Sequence, residues 1–100
     1  MNLVSCKLVT IIAEDELESR IVDNILSLGA KGYTVARVHG AGLHRPRLDE
    51  WEGENVLIET LVSTDVADQI VRSVSEKYFA SFGVTVFVTD AQVVRAEKLR

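Results

Sequence analysis

An α+β sandwich, one antiparallel sheet covered by two helices, is the fold class that this chain predicts. Three observations carry the prediction. Short apolar runs rich in β-branched residues recur at 8–13, 33–39, 55–62 and 84–89. The stretches 15–28 and 63–82 instead place apolar residues three and four apart, the spacing of a helix with one buried face. The order is therefore β-α-β-β-α-β, and no linker or low-complexity segment divides the 100 residues.

Each element has a local reason. Leu8, Val9, Thr10, Ile11, Ile12 and Ala13 form a run suited to a strand buried on both faces. Asp15 is placed as the N-cap of the first helix, with Glu18 completing a capping box. Acidic Glu16 and Glu18 also suit the positive end of the helix dipole. Leu17, Ile21, Val22, Ile25 and Leu28 make the apolar stripe, and Gly29 supplies a left-handed cap. In the third strand Val56, Ile58, Thr60 and Val62 alternate with Leu57, Glu59 and Leu61. Ser63 or Thr64 caps the second helix, which carries Val66, Ile70, Val74 and Tyr78, reaches Phe82 and stops at Gly83. The neighbouring Tyr78 and Phe79 are both assigned to the core. Residues 92–95 are expected to form a short extra strand before a charged tail.

Right-handed crossovers put both helices on one face of a four-stranded antiparallel sheet, the ferredoxin-like βαββαβ arrangement. A sheet with water on its far side should alternate apolar with polar residues. Here, whichever parity faces the helices, the remainder keeps residues such as Ala36, Val38, Leu57, Leu61 and Phe87. The sequence holds no third layer, so the expectation is a homo-oligomer in which that face meets another subunit.

Composition excludes some classes of function. Hydrophobic residues make up 47% and charged residues 26%, an ordinary globular mixture for one domain spanning 1–100. No apolar run approaches the roughly 18 residues a membrane-spanning helix needs, so no direct membrane insertion is expected. The N-terminus lacks the basic start and apolar stretch of a secretory signal. The single cysteine, Cys6, read as lying near a frayed terminus, allows no internal disulfide and fits a reducing cytoplasm. A net charge of −4 argues against a nucleic-acid partner.

Chemistry concentrates in 40–54, a long hairpin connection holding the only proline, the only tryptophan and three of the six glycines. Gly40 and Gly42 allow positive φ, so that successive N–H groups could form an anion nest. Arg45 and Arg47 each offer a planar fork of donors suited to phosphate or carboxylate. The reading is a phosphate grip in a loop that is mobile without ligand; the plainer alternative is a solvated turn. His39 and His44, five residues apart with no cysteine partner, do not make a metal site, and no tightly bound metal is expected. No nucleophile has a base and an orienting group at a legible spacing. Trp51 is open to two readings, a partner-binding anchor or a residue folded back on the domain.

Gly29-Ala30-Lys31-Gly32-Tyr33-Thr34-Val35, followed by Val38-His39-Gly40-Ala41-Gly42, resembles the PII signal-transduction proteins, and the element order matches them over nearly the whole chain. Asn55-Val56 and Tyr78-Phe79 look more like the PII-like branch linked to bicarbonate transport and carboxysome gene clusters. The resemblance implies a non-enzymatic, cytoplasmic homotrimer with nucleotide clefts between subunits. A long T-loop, here about 40–54, would control a protein target such as a bicarbonate transporter. It implies that Gly32, Tyr33, Thr34, Leu61 and Ser63 line an adenine pocket and that Gly40, Gly42, Arg45 and Arg47 hold phosphates. Gly83 of the neighbouring subunit would close the cleft, and Arg95 is what remains of a C-terminal arginine pair.

The departures from that pattern shape the ligand expected. Leu43 stands where the classical proteins have an arginine, and His44 replaces the glutamine that helps hold magnesium and 2-oxoglutarate. Phe82-Gly83-Val84 is too short to cradle a γ-phosphate. ADP or AMP is therefore expected ahead of ATP, with bicarbonate as a co-ligand. Two other readings compete. A phosphate-handling enzyme of the acylphosphatase type would use Arg45 and Asn55, but it wants a glycine-containing cradle after the first strand, where Ala13-Glu14-Asp15 is acidic. A CutA-like trimer without a nucleotide role would leave the basic loop unexplained.

Overall fold

The computed structural model of the chain describes residues 2–40 and 54–94. Strand β1 is Val4–Glu14 and helix α1 is Glu18–Ser27. Strands β2 and β3 are Thr34–Val38 and Asn55–Val62. Helix α2, Thr64–Tyr78, leads to strand β4, Thr85–Val93. The sheet order is β2-β3-β1-β4 and every neighbouring pair is antiparallel. Helix α2 lies over β1 and β4, and α1 over β3. The expected ferredoxin-like arrangement is what forms.

One face of the sheet makes the core. Val9 and Ile11 of β1 and Val56 and Ile58 of β3 are fully buried against Ile21, Ile25, Ile70 and Val74 of the helices. Burial of this kind is the main favourable term in folding, worth about 1.5–3 kcal/mol per side chain. A polar link also joins the helices. Asn24 Nδ2 donates to Ser73 Oγ at 3.0 Å and Lys77 Nζ donates to Asn24 Oδ1 at 3.1 Å, which satisfies a buried amide.

Several local expectations are corrected. Cys6 is not at a frayed end: β1 begins at Val4, Cys6 pairs opposite Ala91, and the residue is 5% exposed. The separate strand at 92–95 does not form, because Gln92 and Val93 continue β4 alongside Ser5 and Val4; Arg95 lies outside the described residues. The capping box at Asp15 and Glu18 is also absent. A 3-10 turn, Asp15–Leu17, intervenes, and neither helical start has a side-chain cap. The reason is competition: Asp15 N–H donates to the Glu54 carbonyl at 3.0 Å, tying that residue to the entry of β3.

Helix α2 starts as expected, with Ser63 Oγ accepting from Val66 N–H at 3.3 Å. It ends earlier than Phe82, in a turn where Phe82 N–H donates to the Tyr78 carbonyl at 2.9 Å. Tyr78 is buried, but Phe79 is 49% exposed. One helical step of about 100° takes Phe79 off the stripe of Ala67, Ile70, Val74 and Tyr78. Among the described residues, Gly29 alone has positive φ, at 118°, as a left-handed cap requires.

Candidate functional site

The antiparallel register brings two of the sequence-assigned segments together. The β2–β3 ladder runs from Val38↔Asn55 to Thr34↔Glu59. Gly32 and Tyr33 precede Thr34, and Leu61 and Ser63 follow Glu59, so these residues gather at one end of the β2–β3 pair. Tyr33 is half-exposed, and Leu61 lies on the face away from the helices. Below them Thr60 Oγ1 donates to the Gly32 carbonyl at 2.6 Å, fixing the approach to β2. The polar edge so formed presents backbone groups and a tyrosine ring.

Gly40 lies beyond the other end of β2. The four steps from Thr34 to Val38 put that end about 13 Å away at the usual rise per strand residue. An elongated ligand with an aromatic base at one end and an anionic group at the other has those dimensions. The nest expected at Gly40 is corrected: its φ is not positive. The last ladder pair on that side is at Val38. Gly42, Arg45, Arg47 and Trp51 lie outside the described residues.

Gly83 stands at the same end of the sheet as Gly40, since Thr85 pairs with Ile12, Ile12 with Leu57, and Leu57 with Ala36. However, β2 and β4 are opposite edges. Three strand spacings of roughly 4.8 Å separate those edges. Within one protomer Gly40 and Gly83 therefore stand on opposite edges of the sheet.

Arg37 and His39, which the sequence reading did not assign to the phosphate grip, flank residues 40 and 54. Arg37 Nη1 lies 3.7 Å from Glu54 Oε2 and 3.9 Å from Asp15 Oδ2. His39 Nε2 lies 3.8 Å from Glu54 Oε1. At those distances, with exposed side chains, the pairs are weak and leave the Arg37 guanidinium available to an anion. The signal for Arg37 was its parity, because it shares the inward face of β2 with Val35. Among the described residues, no group of three or more His, Cys, Asp or Glu is arranged to hold a metal ion. No helix among them is long and apolar enough to cross a membrane.

A ferredoxin-like domain with a long β2–β3 connection defines a class of small α+β proteins. Residues 6–98 match the nitrogen regulatory protein P-II family model, and the chain belongs to that family. It is similar to a PII-like signalling protein from Thermus thermophilus, with 44% identity, TM-score 0.86 and full coverage of both chains. It is also similar to CPII from Thiomonas intermedia, solved with ADP, AMP and acetate, at 27% identity and TM-score 0.89 over 100% of this chain and 99% of that one. A second CPII structure, with ADP and bicarbonate, matches at 26% identity and TM-score 0.85 over 99% and 98%.

Proposed function

We propose that this chain is a non-enzymatic adenine-nucleotide sensor. ADP or AMP binds along β2, and 40–54 carries the nucleotide state to a protein target. The observation that carries the reading is the end-to-end similarity to CPII, which holds ADP and AMP on the same fold. The base would rest against Gly32, Tyr33, Thr34, Leu61 and Ser63, and the phosphates would reach Gly40, Gly42, Arg45 and Arg47. Arg37 extends the cationic side of that end, with His39 beside it. The active unit would be a homotrimer, because Gly83 lies on the edge opposite Gly40 and the face without helices exposes Leu61 and Phe87.

Bicarbonate as co-ligand draws support from the second CPII complex. It is the basis for proposing a target in inorganic-carbon uptake, such as a bicarbonate transporter met through the loop. A cytoplasmic location belongs to the same proposal, since that is where adenine nucleotides vary. Titration calorimetry with AMP, ADP, ATP and adenosine, with and without bicarbonate, tests it. A charge-assisted contact is worth roughly 1.5–3 kcal/mol and tenfold in affinity is about 1.4 kcal/mol. Arg45→Ala or Arg47→Ala should therefore weaken ADP by about ten- to a hundredfold while leaving adenosine unchanged. Gly42→Val should do similar damage by forbidding positive φ. If all three bind ADP and AMP like the parent, the phosphate grip lies elsewhere.

A further inference from the structure

The helix-facing row of β3 is Val56, Ile58, Thr60 and Val62, and Thr60 is 3% exposed. Valine or isoleucine would fill that position and continue the row. A hydroxyl in an apolar layer is unfavourable unless it is hydrogen-bonded. Thr60 meets the requirement by donating to the Gly32 carbonyl at 2.6 Å. Gly32 is two residues short of β2 and outside the ladder, whose last pair is Thr34↔Glu59. Packing does little to place it, since a Cβ added at Gly32 would meet nothing within 4 Å. The hydroxyl therefore adds an anchor at Gly32, between the core residue Ala30 and the first ladder residue Thr34.

We propose that Thr60 is a positioning residue for base selection: its buried hydroxyl sets the backbone of Gly32 and Tyr33, just ahead of the ladder, at the spacing from β3 that admits adenine. The inference rests on the nucleotide reading above and assigns the base end of that site to a residue behind it. Thr60 touches no ligand in this account. It acts through the Gly32 carbonyl, which also leaves the following peptide, with its Tyr33 N–H, in one orientation.

The test compares Thr60→Val and Thr60→Ala, which lack the hydroxyl, with Thr60→Ser, which keeps it. Each is titrated with ADP, AMP, GDP and adenosine, and amide exchange is followed at Tyr33 and Thr34 without ligand. Removing one neutral hydrogen bond should weaken ADP and adenosine alike by about tenfold in the Val and Ala variants. The preference for ADP over GDP should narrow, the Tyr33 and Thr34 amides should exchange faster, and Thr60→Ser should stay near the parent. Valine suits the layer, so Thr60→Val should melt no lower than the parent, which separates positioning from support of the fold. Thr60→Ala gives the same readout should valine crowd the site. Unchanged affinity in a parent that binds ADP, or weakening with an unaltered ADP to GDP ratio, overturns this inference alone. A parent that binds no adenine nucleotide overturns the nucleotide reading, and this inference with it.

Discussion

The two faces of the sheet both carry large apolar side chains but cover them to different degrees. On the helix side Val9, Ile11, Val56 and Ile58 have no solvent exposure. On the other side Leu61 is 39% exposed and Phe87 46%. Leu8, Ile12 and Leu57 share that face, as their alternation with the buried residues requires. The difference teaches that the chain carries more apolar surface than two helices can cover. The helix face completes the fold of one chain; the bare face supplies a reason for several chains to associate.

The sharpest way to break that comparison is a charge on each face. Leu57→Arg should leave one chain folded but abolish assembly, since an unpaired charge in a buried interface costs roughly 3–5 kcal/mol. Ile58→Arg, one residue along, should unfold the chain outright. Sedimentation equilibrium with circular dichroism separates the two. A native protein that is a well-folded monomer at low concentration would remove the contrast. Milder changes grade the same difference. Ile58→Ala should cost about 2–5 kcal/mol in denaturant unfolding, whereas Leu61→Ala should change single-chain stability far less.

Much of this was legible because alternation survives any tertiary context. β3 ran over 55–62 as its pattern said, and both helix stripes turned inward as spaced, with only Leu28 and Val66 partly exposed at their ends. What was hidden depended on partners distant in sequence. The alternation at Thr60 gave its inward parity, yet only folding shows that Gly32 receives its hydroxyl, 28 positions away. Asp15 read as a cap until the Glu54 carbonyl claimed its N–H. Cys6 read as frayed because nothing local says that β4 reaches back to Val4. At the candidate site, the turn at Gly32 and the β3 end were legible as a pair, while the placement of Gly40 and Gly83 on opposite edges required the strand order.

A smaller effect probes how the helix layer meets the sheet. Gly29 has φ of 118° and a Cβ there would lie 3.3 Å from Val66 Cγ2. Gly29→Ala should therefore destabilise by roughly 1–2 kcal/mol through backbone strain alone, with some added crowding of α2. Thermal melting is enough to measure it. Gly32→Ala, where a Cβ would meet nothing and φ is ordinary, should be close to neutral. Equal losses at both glycines would mean that neither turn is held as described.

The smallest effect lies at the surface where β1 meets β4. Lys7 Nζ donates to an Asp90 carboxylate oxygen across that pair of strands. The hydrogen bond, then the opposite charge, raises Lys7 above its ordinary 10.5 and lowers Asp90 below its ordinary 3.8. A carboxylate with a depressed folded pKa contributes stability above its unfolded value and loses it as pH falls through the folded one. An amine with a raised pKa contributes below 10.5 and loses it as pH rises through its folded value. The contribution is thus level across the neutral range and fades at both ends. It is small, because Asp90 is exposed and salt screens such pairs. Asp90→Asn should melt slightly below the parent at neutral pH. The gap should close when both are unfolded in strong acid or in about 1 M salt, where screening acts within roughly 3 Å. A gap that persists in acid would mean that Asp90 contributes through something other than its charge on Lys7.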